Sequence, residues 1–417
     1  MHRSRFWRFP ALLVIAAMLF AACGSDDPEE STGGEGEGAK AADKIVKIGV
    51  IAPLSGDLSA LGLGIKNGAQ LAVDQANEEG KIEGWKIELV AEDDTAKADV
   101  GAQVASKLSS DKDVAGVIGT LNSSVALQVA PILEKANIVM VSPANTGVEL
   151  TGRDNLANQA RRYKNYYRVA TTDDIQGPFA ANYATEELNA KSVAIIHDKK
   201  TYGQGLSDAF KGQFEKNGGK VVAAETVNPG DKDFSAVLSK IKPSNPDLIY
   251  YGGEFPEASL ISSQAEQLGI KAPLMGGDGI YSGKFFETAK EAGVGDLATS
   301  VGAPTDELDS AKEFVEAYNA DPELKKDPYE AYGAYAFDAA NVIIEALAEV
   351  LPDADAIDDA TRTKIVTEVG NVTIDGVTGK VAFDEFGDTT TKVLTMYKGE
   401  NRNGTVTWVA AKTDEFK

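Results

Sequence analysis

Cysteine is all but missing from this chain. Cys23 is the only one among 417 residues, so no disulfide framework can brace the fold and no thiolate metal site can form. Histidine is nearly as scarce, with only His2 and His197, and no His-Glu-x-x-His, clustered Cys/His or Walker-type lysine motif occurs. A Ser-His-acid arrangement in the folded part would have to use His197, which closes a strand-like run and reads as structural or cleft-lining rather than as a base. Positive charge is in deficit: 41 Lys and Arg face 64 Asp and Glu, a formal net charge of -23. Such a surface repels phosphate backbones and anionic headgroups, which argues against nucleic-acid or peripheral lipid binding. No apolar run approaches the roughly 20 residues of a membrane-spanning helix.

What is present begins at the N-terminus. Arg3, Arg5 and Arg8 precede an apolar stretch of 12 residues, 11–22, ending in Ala21 and Ala22 directly before Cys23. A charged region, a short apolar core and small residues at the cut describe a secretory leader, 1–22. The lone cysteine in that position resembles a bacterial lipobox, in which the thiol is diacylated and becomes the mature N-terminus, although Phe20 stands where leucine is usual. A plain secretory leader with a free thiol is the alternative. Loss of the leader takes the formal charge from -23 to -26, because its three arginines leave with it. Residues 24–43 hold Gly, Ser and acid with no large apolar side chain, so nothing offsets the entropy of ordering them; 23–43 reads as a lipidated cysteine and a flexible tether reaching roughly 25 Å. The expected location is outside the cytoplasm, on the cell surface or in the periplasm, anchored by lipid.

From residue 44 onward, apolar runs alternate with amphipathic stretches. Strand-like Ile45–Pro53 precedes a helix over Ile65–Glu79. Strand Lys86–Glu92, helix Ala96–Ser109, strand Val114–Gly119, helix Ser123–Ala136 and strand Ile138–Ser142 complete a first βα series. A second starts after Tyr166–Ala170 and runs through helix Gln176–Asn189, strand Ser192–His197, helix Tyr202–Asn217, strand Lys220–Ala224, helix Phe234–Ile241, strand Asp247–Tyr251, helix Glu257–Leu268 and strand Leu274–Gly276. Repeated βαβ units imply parallel sheets with helices on both faces, so the chain is expected to form two α/β lobes. The tail differs: helices Ser310–Ala320 and Tyr329–Val350, then strands Lys380–Phe383, Lys392–Lys398 and Thr405–Ala411. Gly62, Gly64 and Gly68 loosely imitate a dinucleotide-binding loop, but eight residues separate them from the strand; a cleft-lining loop is the expectation, and no cofactor is implied.

Open α/β sheets bind ligands beyond the carboxyl ends of their strands. One such end carries Thr120-Leu121-Asn122-Ser123-Ser124, where Ser123 or Ser124 is a natural helix cap; another carries Ser142-Pro143-Ala144-Asn145-Thr146. Together they offer hydroxyls and free amides at a helix terminus, a cradle for a carboxylate. The second series ends in Gly277-Asp278-Gly279, where Asp278 can meet a cation or simply form a turn. A cradle facing a carboxylate is complementary to a zwitterion, and so to a free amino acid.

At this point the chain resembles the extracytoplasmic binding proteins of branched-chain amino acid ABC importers, the type I periplasmic binding fold. The resemblance runs from about residue 44 to 417. It rests on Gly-Val-Ile-Ala-Pro-Leu-Ser-Gly (49–56), Gly-Ala-Gln-Leu-Ala-Val-Asp-Gln-Ala-Asn (68–77), Glu-Asp-Asp (92–94), Ile-Gly-Thr-Leu-Asn-Ser-Ser (118–124) and Ser-Pro-Ala-Asn-Thr (142–146). Further on lie Gln-Gly-Pro (176–178), Ile-His-Asp-Lys-Lys-Thr-Tyr-Gly-Gln-Gly (196–205), Asp-Phe-Ser (233–235), Tyr-Tyr-Gly-Gly-Glu-Phe-Pro-Glu (250–257), Met-Gly-Gly-Asp-Gly (275–279) and Phe-Asp-Glu-Phe-Gly-Asp (383–388).

The resemblance implies two Rossmann-like lobes with parallel central sheets joined by three hinge crossovers near 168–171, 300–303 and 380–383. Lobe 1 would hold 44–168 plus 303–379, and lobe 2 would hold 172–299 plus 382–417. It places carboxylate contacts on Ser123 and Thr146, the carbonyl contact to the ammonium on Ala144, and the closing acid on Asp278, where most members have Glu. Tyr202 and Tyr332 match cleft tyrosines. Leu61 replaces a covering aromatic, Glu254 occupies a tyrosine position, and Asn122 a wall position, so the pocket is more polar than one built for leucine. Relatives carry a disulfide where this chain has Thr95 and Asn122, which leaves Cys23 free for acylation. The implied function is the solute receptor of an ABC importer, a monomer and not an enzyme, binding a neutral, branched-chain-like amino acid and handing it to a permease. An amide, urea or aromatic acid on the same scaffold, or a sensory role, is the alternative.

Overall fold

The computed structural model describes residues 44–154 and 160–416. The leader, Cys23 and the tether lie outside the described residues.

The first series folds as β1 (Lys44–Ala52), α1 (Ser59–Glu78), β2 (Trp85–Asp93), α2 (Ala98–Ser110), β3 (Val114–Gly119), α3 (Ser123–Lys135), β4 (Val139–Ser142) and β5 (Tyr166–Arg168). The five strands form one sheet in the order β2-β1-β3-β4-β5, every pair parallel. A parallel sheet is covered on both faces, so its inner strands must be apolar on both sides. β3 and β4 meet that demand, with every residue buried, whereas β2 at the edge alternates only at its start.

The second series comprises α4 (Asp173–Glu186), β6 (Ser192–His197), α5 (Thr201–Lys216), β7 (Lys220–Thr226), α6 (Ser235–Ile241), β8 (Leu248–Gly252), α7 (Phe255–Gln267), β9 (Leu274–Gly276), α8 (Phe285–Ala289) and β10 (Leu297–Ser300). The tail adds α9 (Lys312–Ala320), α10 (Gly333–Val350), α11 (Asp359–Asn371), the small hairpin of β11 (Ile374–Gly376) and β12 (Gly379–Val381), and the long pair β13 (Lys392–Arg402) and β14 (Thr405–Phe416). The second sheet runs β14-β13-β10-β9-β8-β6-β7. Its core is parallel; β13 joins β10 antiparallel and β14 closes the edge.

The chain therefore passes between the two sheets three times. It leaves β5 for α4, leaves β10 for the tail helices, and returns to β13. α10 packs on α1, β3 and β4, and α11 on β4, so both cover the first sheet. The three passages lie side by side: Thr171 Oγ1 donates to the Val301 and Val393 carbonyls, each at 3.2 Å, and the Arg168 amide donates to the Gly387 carbonyl at 3.0 Å. The third passage, 382–391, is longer than the expected window at 380–383, because the Phe383–Thr389 bridge folds a loop into it.

One expectation is corrected here. Gly62, Gly64 and Gly68 form no loop; they lie inside α1, which starts six residues earlier than its apolar spacing indicates. Their bare surfaces let backbone approach backbone. A Cβ on Gly62 would lie 2.0 Å from the Pro53 carbonyl oxygen, and one on Gly68 would lie 2.0 Å from that of Gly333 at the head of α10. The glycines are packing contacts, and the segment Leu54–Leu58 alone makes the turn into the helix.

Candidate functional site

The carboxyl ends of the two sheets face one another, and most of the expected site residues gather there, buried: Ser123, Thr146, Asp278, Tyr332, Asn122, Ala144, Glu254 and Tyr202 are all at most 7 % exposed. On the first-sheet side, the helix α3 begins at Ser123 with Asn122 in the capping position, yet no side chain caps it. The expectation that Ser123 or Ser124 spends its hydroxyl as a cap is not met. The Ser123 oxygen instead accepts the Gly147 amide at 3.3 Å; the Val125 and Ala126 amides donate to the Asn122 carbonyl, and those of Ser123 and Ser124 at the head of α3 keep no intrahelical partner.

The two strand-end loops are sewn together from beneath. Ser142 Oγ donates to the Thr120 carbonyl at 3.2 Å and accepts the Asn145 amide at 2.9 Å. Asn145 Nδ2 donates to the carbonyls of Thr120 and Leu121, each at 2.9 Å. Arg168, fully buried at the end of β5, grips both neighbours of Thr146, donating through Nη1 to the Asn145 carbonyl at 3.1 Å and the Gly147 carbonyl at 2.7 Å. Its Nε donates to Asp388 at 2.6 Å, and Arg153 pairs with the same carboxylate. Burial opposes ionisation of Asp388, but the two guanidiniums outweigh it and hold the carboxyl below its ordinary range. Sequence reasoning missed Arg168, Ser142 and Asn145 as supports; an arginine closing a strand of otherwise buried residues was the signal available.

On the opposite side stands Asp278. Tyr202 donates to its Oδ1 at 2.9 Å, and Tyr332, at the head of α10, donates to its Oδ2 at 2.7 Å from the other lobe. Its amide donates to Gln176 Oε1 at 2.9 Å, which also accepts from Thr299 Oγ1 at 2.6 Å. Gly277 before it must be glycine, since a Cβ would lie 2.4 Å from the Tyr202 hydroxyl and 2.7 Å from Gln176 Oε1. Burial pushes the Asp278 carboxyl up, and the tyrosine hydrogen bonds pull it partly back. Asp173, at the start of α4, was not anticipated. Its amide donates to the Thr146 carbonyl at 3.0 Å, while both carboxylate oxygens are buried without a partner among the described residues. Burial, with Asp278 nearby, drives it strongly toward the protonated form.

Glu254 and Asn122 are joined across the lobes by a hydrogen bond from Asn122 Nδ2 to Glu254 Oε1 at 2.8 Å. Burial raises the Glu254 carboxyl to about 8. Beyond them a cavity of about 570 Å³ opens between the lobes. Leu61, expected over the ligand, is not brought there: it sits on the buried face of α1 in the hydrophobic core, and Leu58 lines the cavity instead. At the rim Lys232 pairs with Asp57 at 2.9 Å, an exposed contact of little energetic weight. His197 lies apart from the site; its Nδ1 accepts the Lys199 amide at 3.2 Å. Among the described residues no histidine, cysteine or carboxylate group of three could hold a metal ion, and no helix is long and apolar enough to cross a membrane.

Residues 45–404 match the family model described as periplasmic binding protein. A Leu/Ile/Val-binding protein, BraC3 of Rhizobium johnstonii, is 35% identical over 355 residues, covering 85% of this chain and 92% of its own. Among solved structures, the leucine binding protein LivK of Thermotoga maritima is 33% identical with a TM-score of 0.76, over 88% of this chain and 98% of that one. The branched-chain amino acid transporter substrate binding protein LivJ of Streptococcus pneumoniae, in complex with isoleucine, is 30% identical with a TM-score of 0.75, over 88% of this chain and 100% of that one. A match over most of the chain, on a fold of two α/β lobes with three crossovers, places this protein in the periplasmic binding protein family.

Proposed function

We propose that the protein is the extracytoplasmic solute receptor of an ABC importer, a monomer held at the membrane by acylated Cys23. It takes a free, neutral amino acid of branched-chain size between lobe 1 (44–168 plus 303–379) and lobe 2 (172–299 plus 382–417). Ser123, Thr146 and the first amides of α3 receive the ligand carboxylate; the Ala144 carbonyl and Asp278 receive the ammonium; Tyr202 and Tyr332 hold Asp278 in position. The single observation that carries this reading is the Asp278 carboxylate, 2 % exposed at a strand end and fixed by tyrosine hydroxyls from both lobes. A buried carboxylate set opposite a hydroxyl-and-amide cradle is costly unless a cation completes it. The names of the relatives support the amino-acid class, since they bind leucine, isoleucine or valine.

No bond is made or broken in this activity. Rotation of the lobes about the three passages buries the ligand, and the closed form is what a permease recognises; the ligand shifts the population by binding the closed form better. Asp278→Asn is expected to weaken amino-acid binding by about 2–5 kcal/mol, the range for truncating a buried charged pair. Isothermal calorimetry measures it, and an unchanged affinity would sink the head-group assignment.

A further inference from the structure

Glu254 joins the head-group site to the cavity. Its Oε1 accepts from Asn122, one residue before Ser123, and its Oε2 lies so close to Gly279, one residue after Asp278, that a Cβ there would sit 2.7 Å from it. On its other side Glu254 lines the cavity of about 570 Å³, together with Leu58, Thr95, Asp198, Lys200 and Glu257. Glu254 therefore stands between the positions of Ser123 and Asp278 and this space.

Two polar atoms at that end are buried without a partner among the described residues, Asn122 Oδ1 and Thr95 Oγ1. Asn122 is 3 % exposed and Glu254 is 6 % exposed, so water does not supply the missing bonds freely. Thr95 is held in place at some cost: it and Ala96 both take left-handed backbone, φ +48° and +57°, pinned by amide bonds to Asp93 Oδ1 at 2.9 Å and Asp94 Oδ1 at 2.8 Å. The wall also carries charge, with Asp57, Asp198 and Glu257 on it beside Lys97 and Lys200; Asp198 accepts the Lys200 amide at 2.9 Å and Glu257 accepts the Gly230 amide at 2.7 Å.

Resting on the amino-acid reading above, we infer that this end of the cleft is built for a neutral amino acid whose side chain carries a hydroxyl or a carboxamide, with Asn122 and Glu254 as the pair that determines specificity. An amide oxygen only accepts, and a carboxyl that burial keeps protonated also donates, so the fitting group does both. A methyl-ended side chain of the same size does neither and leaves Asn122 Oδ1 and Thr95 Oγ1 unpaired.

The test is calorimetric titration of the purified full chain at pH 7 with leucine, isoleucine and valine, with threonine, asparagine and glutamine, and with lysine. At least one of threonine, asparagine and glutamine is expected to bind about ten-fold or more tighter than the best aliphatic ligand. Glu254→Leu should reverse that order and the near-isosteric Glu254→Gln should keep it; where Glu254→Leu does not fold, Asn122→Leu gives the same readout. An aliphatic preference in the wild type, a ratio that Glu254→Leu leaves unmoved, or lysine as the tightest ligand overturns the inference while the amino-acid reading stands. Binding of none of the seven overturns both.

Discussion

At the scale of single residues, the proposed head-group site depends on a side chain that never needs to touch a ligand. Arg168 fixes the carbonyls on both sides of Thr146 and reaches Asp388 in the third passage, so the strand-end loop and that passage share one guanidinium. Removing one member of a buried pair costs about 3–5 kcal/mol where it strands the other. Arg168→Met leaves Asp388 with Arg153 alone and the Asn145 and Gly147 carbonyls without their donor. It is therefore expected to destabilise the protein by about 3 kcal/mol in urea denaturation, and Arg168→Met/Asp388→Asn by less, since the half-compensated carboxylate is gone. Equal losses would show that the ion pair is not what matters at this position. The strand-end placement of Ser123, Thr146 and Asp278 is legible in the sequence because each follows an apolar run and is a short polar residue beside glycine or a helix start. Asp173 and Gln176 are not, because their partners lie on other elements and nothing in the local pattern separates them from surface polar residues; Arg168 is marked only by closing a strand of otherwise buried residues.

At the scale of elements, legibility follows burial. β3, β6 and β9 fall on the residues their apolar runs indicate, since strands buried on both faces announce themselves by composition alone. β10, Leu-Ala-Thr-Ser, is too short and too mixed to stand out; it is a strand because β9 and β13 flank it. α11 escapes notice for a related reason, with only Thr361, Arg362, Ile365 and Val369 buried, although Asp358 caps it by accepting the Thr361 amide at 2.8 Å. The glycines of α1 mislead because glycine usually weakens a helix. Here the helix requires it. Gly68→Ala is expected to cost about 1–3 kcal/mol through forced separation of α1 from α10. Gly212→Ala, in α5 where a Cβ meets nothing within 4 Å, should instead stabilise by about 0.5–1 kcal/mol. Chemical denaturation of both variants reads the two signs, and a shared sign would refute the packing account.

At the scale of the whole molecule, buried acids set the response to pH. Burial raises Glu254 from its ordinary 4.5 to about 8, Asp94 and Asp296 from 3.8 to about 7, and Asp338 from 3.8 to about 6. A carboxyl raised by folding keeps its proton in the native state after the unfolded chain has lost it. Stability then falls as pH rises between the two values, by up to about 1.4 kcal/mol per pH unit for each such proton. Asp388 acts the other way: its lowered carboxyl adds stability that is lost on acidification below the ordinary carboxylate range. The net charge of -23 adds self-repulsion in the same sense as the raised acids. Urea midpoints are therefore expected to peak in mildly acidic buffer near pH 5 and decline toward pH 8, with a shallower decline in Glu254→Gln. A flat or rising profile from pH 5 to 8 would count against burial of these acids.

The hydrogen bond between Asn122 and Glu254 ties together positions 132 residues apart, one on each lobe. Neither can change alone without stranding its partner in a dry interface, so the two form a unit of inheritance as well as of recognition. Among relatives of this chain they should covary, and independently of Ser123, Thr146 and Asp278. On the proposed reading, the preferred side chain can then diverge within a lineage while the head-group contacts stay constant.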